Sequence, residues 1–265
     1  MQLSQVLKEV IPDPLHHLIP DRFEVIGDIA ILSIPDELSQ YQTTIAKALI
    51  NQRRSITTVL RRVSKVSGSC RIAGYQPIIG TKTRTLYRES GFRYRVDLSH
   101  AFFTSRLAGE RQRISDIIKP GERVLIPFAG VGPFVIPVAA RGAHVIAIEI
   151  NPDACLLLRE NIRLNHLEDR VAIIRGDASL ASRMLRIMSD RAIIPTPYGL
   201  DETFIPLSRM VRKGGGIHFY TFDNRDGAQE RAKILTLAGF EVGRLHRCGN
   251  VAPSVSRWVY DLTVR

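Results

Sequence analysis

"LIPFAGVGPF", residues 125–134, decides how this chain is read. An apolar run, LIPF, ends in Gly130-Val131-Gly132 and passes straight into a second apolar run, PFVIPVAA. The first run has the length of a buried strand. The glycines permit a tight turn, and the second run is a helix in prospect. The same alternation continues downstream. HVIAIEI (144–150) reads as a strand, and NPDACLLLRENIRLN (151–165) as a helix capped by Asn151 with Pro152 at its first position. VAIIRGDA, RAIIPTP and GGGIHFYTF read as a third, fourth and fifth strand, with a helix over 227–239. FEVGRLHRC and SRWVYDLTV read as a closing hairpin. Strand–helix alternation implies an α/β fold: a doubly wound, mostly parallel, seven-stranded sheet with helices on both faces.

The first hundred residues differ in pattern. PDRFEVIGDIAILSIP (20–35) reads as two strands around Gly27-Asp28, and 36–51 as a helix with Leu38, Tyr41, Ile45, Leu49 and Ile50 on one side. Residues 57–99 read as short strands between glycine turns. A small α+β domain over 1–100 and an α/β domain over 101–265 are expected.

The chain carries a formal charge of +11 over 265 residues. Residues 51–113 hold fourteen Lys or Arg and three acids (Glu89, Asp97, Glu110), so this stretch alone accounts for the excess. The cations are spread among apolar residues. They mark a folded basic surface, either a solvated face or one suited to a polyanion, rather than a disordered tail. No apolar run reaches the roughly 18 residues that cross a bilayer, and MQLSQVLKEVIPDP does not read as a signal peptide. Three scattered cysteines and seven scattered histidines suggest neither a disulfide framework nor a metal cluster. A cytoplasmic, metal-free protein with no membrane association, and a monomer, is the expectation.

The candidate site follows the strand ends, where open α/β sheets bind ligands. Gly130 and Gly132 let backbone approach a ligand. Glu149 ends the second strand, 17 residues past Gly132, where a carboxylate can accept both hydroxyls of a ribose. Asp177 ends the third strand and can face an adenine edge. Pro195-Thr196-Pro197-Tyr198 follows the fourth, and Tyr198 can stack on a base. The loop lacks the third glycine of a dinucleotide fingerprint, and the antiparallel end suits a Rossmann-like sheet of the methyltransferase type.

Six segments carry a family resemblance: FFTSRLAGERQRI (102–114), FAGVGPFVIPVA (128–139), IEINPDACLLLRENIRLN (148–165), NVAPSVSRWVYDL (250–262), DRFEVIGDIAILSIPDEL (21–38) and TTVLRRVSKVSG (57–68). Together they resemble the archaeal and eukaryotic tRNA guanine-N1 methyltransferases, which modify the guanosine 3′ of the anticodon (position 37). They also resemble the sister aminocarboxypropyl transferases of wybutosine synthesis. The resemblance implies S-adenosylmethionine as cofactor and tRNA as partner. It implies cofactor contacts from Phe128, Gly130, Gly132, Glu149, Asp177 and Pro195. By the same match Glu110 takes the guanine N1 proton and Arg106 holds the base. Arg71 stabilises charge on O6, while Arg111, Thr196, Tyr198, Arg61 and Arg62 contact RNA. Proton removal and charge stabilisation of this kind are each worth about 10² to 10⁴ in rate. Arg106 favours the methyl branch, because the sister enzymes tend to have Ser-Pro-Ala-Asn there.

Three features depart from the methyltransferase pattern. Ile126 and Pro127 stand where the family has Asp and Met. Pro195-Thr196-Pro197 stands where it has Asn-Leu-Pro. The chain also begins at the domain that is second in many of the methyltransferases, a layout more typical of the sister enzymes. Transfer of an aminocarboxypropyl group, action on another acceptor, and RNA binding without catalysis are the alternatives.

Overall fold

The computed structural model describes residues 3–64, 72–252 and 254–265. The chain divides into two compact units, Met1–Ser105 and Arg106–Arg265. Unit one opens with α1 (Leu3–Val6) and the antiparallel pair β1 (Glu24–Ile26) and β2 (Ile29–Leu32). Gly27 in the turn between them has φ +60°, and a Cβ there would overlap Thr85 Oγ1. The helix α2 (Gln42–Gln52) buries Ile45 and Leu49 of the expected apolar face, together with Ala46, while Ile50 is only partly buried. The preceding residues Asp36–Tyr41 form a 3-10 helix rather than the first turns of α2. Strands β3 (Thr58–Arg62) and β4 (Tyr75–Ile79) complete a sheet of order β1-β2-β3-β4. A separate hairpin, β5 (Arg84–Glu89) and β6 (Phe92–Asp97), turns through Ser90 and Gly91. Both turn residues have positive φ, the type I′ geometry that matches the twist of a two-residue hairpin.

Unit two begins with α3 (Ala108–Asp116). Then come β7 (Arg123–Pro127), α4 (Val135–Ala140), β8 (His144–Glu149), α5 (Pro152–Leu164), β9 (Val171–Arg175), α6 (Ala178–Met184) and β10 (Ser189–Pro195). They are followed by α7 (Phe204–Ser208), β11 (Val211–Asp223), α8 (Arg225–Leu237), β12 (Phe240–Ala252) and β13 (Val255–Val264). The seven-stranded sheet has the order β12-β13-β11-β10-β7-β8-β9. Only β13 runs against its neighbours, pairing antiparallel with both β11 and β12. The fold class expected from the sequence is therefore the one observed.

The central strands β7, β8 and β10 are covered on both faces, which is why they read as unbroken apolar runs. The core gathers Leu125, Ile148, Ile194, Phe204, Phe219 and Tyr260. The edge strands β9 and β12 are far more exposed, and β12 carries Glu241, Arg244 and Arg247, charges that blunt an edge. Pro127 is tolerated because β7 pairs with β10 only through Val124 and Leu125, one turn of the ladder earlier. No helix among the described residues is long and apolar enough to cross a membrane.

Candidate active site

The turn after β7 is built by alternating backbone. Phe128, Gly130 and Gly132 have φ of +55°, +55° and +95°. Glycine answers this need at two of the three positions, while Phe128 holds a left-handed conformation that non-glycine residues avoid. A Cβ at Gly132 would lie 2.5 Å from Leu158 Cδ1, so the glycine also lets α5 pack against the turn. From α5 the buried Asn161 donates through Nδ2 to the Val131 carbonyl at 2.8 Å. A Cβ at Gly130 would meet nothing within 4 Å. Space is open there, at the carboxyl end of the sheet.

Glu149, at the end of β8, closes this cradle. Its Oε2 accepts from Gly130 N at 2.7 Å and its Oε1 from Asn151 N at 2.8 Å. Burial pushes the Glu149 carboxyl above its ordinary range, and the backbone N–H groups of Asn151, Gly130 and Ile150 offset this only in part. Three backbone donors leave part of the carboxylate's roughly four lone-pair positions to accept from a ligand. The residues present therefore suit a ribose: two acceptor oxygens, a glycine with open space beside it, and a rigid backbone.

Asp177 caps α6, its Oδ1 accepting from Ser179 N at 2.8 Å. Pro195 ends β10. Thr196 is 2% exposed, and its hydroxyl turns back to the Ile194 carbonyl at 3.5 Å. Tyr198 is 61% exposed. Its ring stands edge-on to Phe222 at 5.5 Å, and the Arg257 guanidinium lies 4.8 Å over Phe222. Ile126, where the resemblance leads one to expect an Asp, is fully buried core.

Glu110 lies in the first turn of α3 and is the hub of a charged network. Arg113 donates to its Oε2 from Nε at 3.0 Å and Nη2 at 2.9 Å. Tyr220 on β11 donates to the same oxygen at 3.1 Å. His246 on β12 approaches Oε1 through Nε2 at 2.7 Å. Arg113 also reaches Asp261 on β13 in a two-pronged pair, at 2.7 and 3.2 Å. Asp261 accepts from His218 Nδ1 at 2.6 Å. His218 Nε2 accepts from Arg191 at 2.9 Å, and Arg191 pairs with Glu122 at 2.9 and 3.1 Å. Neutral His218, with its proton on Nδ1, satisfies both neighbours, and burial favours that neutral form. His218 is thus a partnered core residue. Burial raises the Glu110 carboxyl, but the hydrogen bonds from Arg113 and His246 outweigh it and hold the group below its usual value. Asp261 is lowered to about 2, His218 and Arg113 outweighing its burial.

Other expected contacts fall as follows. Arg106 is exposed beside the start of α3. Arg111, expected to contact RNA, is 2% exposed. On β3, Arg61 pairs with Asp36 and Ser39. Arg62 lies 3.9 Å from Glu24, which also accepts from Thr104 and Ser105. Both arginines thus have partners within unit one. Arg71 lies outside the described residues. The sequence reading missed Tyr220 and His246 as partners of Glu110 and Asp261 as the partner of Arg113, because they stand 110, 136 and 148 residues away from the α3 groups they serve and no local pattern marks them.

Residues 85–238 match the model of the TRM5/TYW2 methyltransferase domain. The chain belongs to the TRM5/TYW2 methyltransferase family. Residues 3–83 match the TYW2 N-terminal domain. A tRNA (guanine(37)-N(1))-methyltransferase Trm5b of Pyrococcus abyssi is 37% identical over 213 residues, 80% of this chain and 63% of that protein. The chain thus spans under two thirds of that relative's length. A tRNA(Phe) (4-demethylwyosine(37)-C(7)) aminocarboxypropyltransferase of Pyrococcus horikoshii is 30% identical over 278 residues, 99% of this chain and 96% of that protein. The structure of Methanocaldococcus jannaschii Trm5 in complex with adenosine superposes with a TM-score of 0.84 at 27% identity, covering 99% of this chain and 78% of that one.

Proposed function

We propose that this chain is an S-adenosylmethionine-dependent tRNA methyltransferase acting on N1 of the guanosine at position 37. The observation that carries the cofactor half of this reading is the Glu149 clasp on Gly130 and Asn151, with open space beside Gly130. S-Adenosylmethionine, when bound, supplies an electrophilic methyl group. Glu149 is the residue for its ribose hydroxyls, the Phe128–Gly132 backbone shapes the cradle, and Asp177 and Pro195 stand at the neighbouring strand ends. The Glu110 carboxylate, ionised at neutral pH, accepts the N1 proton. Arg106 and Arg71 are assigned to the base, the latter to charge on O6, and Tyr198 to stacking. Thr196, its hydroxyl turned inward, is assigned no more than a backbone contact.

The basic hairpin of unit one supports the tRNA half. On one face of β5–β6, Arg88 stands opposite Arg93, with Arg84 opposite Asp97 and Leu86 opposite Arg95. Arg84, Arg88, Arg93 and Arg95 thus share one face of the hairpin, a basic surface suited to phosphate contacts.

One observation favours a second reading, aminocarboxypropyl transfer: the co-linear match covers 96% of the Pyrococcus horikoshii relative, and residues 3–83 match the TYW2 domain. Two labelled cofactors separate the readings. With unmodified and wyosine-precursor tRNA, methyl label entering RNA as 1-methylguanosine supports the first. Carboxyl label entering RNA supports the second and refutes the first.

A further inference from the structure

An i, i+3 pair on an exposed helix is worth only tenths of a kcal/mol and fixes neither side chain. Glu110 is held otherwise. Its side chain is 11% exposed, and its donors come from α3, β11 and β12, with Arg113 itself pinned to β13. A carboxylate offers about four lone-pair positions. Arg113 and Tyr220 fill those of Oε2, and His246 takes one on Oε1. The second position on Oε1 is met only by Arg113 Nε at 3.3 Å, a hydrogen that bonds Oε2 more closely at 3.0 Å, so it is the weakly engaged position that a further donor can take.

The two network histidines differ in a telling way. His218 is partnered at both ring nitrogens. His246 is partnered at Nε2 alone, and its Nδ1 is buried without a hydrogen-bond partner. With the proton on Nε2, the ring's polar work goes entirely to Glu110. Tyr220 has a second attachment. Its ring packs 5.3 Å from Phe134, the last residue of the glycine turn. One side chain therefore touches both the cradle turn and the carboxylate.

We propose that Tyr220 and His246 are positioning residues for proton transfer: they fix the Glu110 carboxylate so that the remaining Oε1 lone pair receives the N1 proton of the acceptor guanine. This rests on the guanine N1 reading. The N1–H bond breaks, the proton passes to Oε1, and the electron pair stays on N1, which becomes the nucleophile. The ionisable groups facing Glu110 are Arg113 on α3, Tyr220 on β11, and His246 and Cys248 on β12. Asp261 on β13 acts through Arg113. Cys248 is pushed up to about 12 by burial and by Glu110, and stays a neutral thiol.

The test uses the full chain with carboxyl-labelled glutamate, Glu110→Gln assigning the resonance. Removing a donor to the ionised carboxylate raises its titration midpoint. Tyr220→Phe and His246→Leu are expected to shift the Glu110 midpoint upward by about one pH unit. The acid limb of kcat for methyl transfer to unmodified tRNA should move by the same amount, with KM unchanged within about twofold. His246→Gln, which keeps a donor N–H, should leave both in place. A midpoint that stays put in Tyr220→Phe and His246→Leu overturns the proposal, as does a moving midpoint with a fixed acid limb. If Glu110→Gln loses activity while those limbs stay fixed, positioning alone fails. If Glu110→Gln keeps wild-type kcat, the guanine N1 reading of Glu110 fails with it. Should His246→Leu not fold, Tyr220→Phe and His246→Gln decide the matter.

Discussion

Two largely buried carboxylates in the same unit behave in opposite ways. Glu149, at the end of β8, is bound by backbone N–H groups and titrates above its ordinary range. Glu110, on α3, is bound by a guanidinium, an imidazole and a phenol, and titrates below its own. Both lose hydration to burial, which raises a carboxyl pKa. What differs is the donors. A neutral amide dipole recovers part of the lost solvation, whereas a guanidinium adds a full charge at contact distance. The strand-end carboxylate is left with acceptor capacity for a ligand. The helix carboxylate is locked into a chain of charges running to Glu122.

The sharpest way to break this comparison is to remove the shared cation. Arg113→Leu leaves Glu110 and Asp261 largely buried without it. Removing one partner of a buried pair costs about 3–5 kcal/mol, so the thermal midpoint should fall by roughly 10 °C. A drop of only a degree or two in calorimetry would show that the network behaves like a surface pair. At the other carboxylate, Glu149→Ala strips the backbone N–H donors of their acceptor and removes the residue proposed for the ribose. Binding of S-adenosylhomocysteine, followed by titration calorimetry, should weaken by about 100-fold or more. Undiminished affinity would remove Glu149 from the cofactor site.

Smaller effects sharpen the contrast. Gly132→Ala combines a positive φ with overlap on Leu158 and should cost about 2 kcal/mol. Gly130→Ala faces open space and should cost about 1 kcal/mol of stability while weakening the cofactor. Equal denaturant midpoints for the two would contradict the packing described. The last test is pH. Asp261 is lowered in the folded state to about 2, so its contribution is present above the ordinary carboxylate range and is lost as pH falls through the folded value. Between about pH 4 and pH 2 unit two should lose about 2 kcal/mol from this group. In Asp261→Asn that part of the acid dependence should vanish. Glu149 acts in the opposite sense: its raised value makes its contribution largest below the ordinary range and lost as pH rises through the folded one.

Much of the cradle was legible in the sequence because it is local. A Gly-x-Gly after an apolar run, an acid at the next strand end and an Asn-Pro helix start all lie within 30 residues of one another, and each has a backbone reason. Asp177 was legible as a strand-end acid, but its use as the cap of α6 was not, since α6 is only seven residues long and has no periodic signal. The burial of Arg111 was not legible, for a related reason. A nine-residue helix rich in charge gives no indication of which of its arginines will be buried.

The order of apolar runs and glycines was enough to specify a doubly wound parallel sheet and the glycine turn at its strand end. Those features depend on backbone conformation and on burial of both strand faces, and both are written in adjacent residues. Tertiary structure alone decided what surrounds Glu110. Tyr220, His246 and Asp261 come from strands more than 100 residues further on, and only the pairing of β11, β13 and β12 brings them to α3. A carboxylate's proton affinity depends on charges within a few ångströms, and which charges those are is settled by the packing of strands, not by neighbours along the chain.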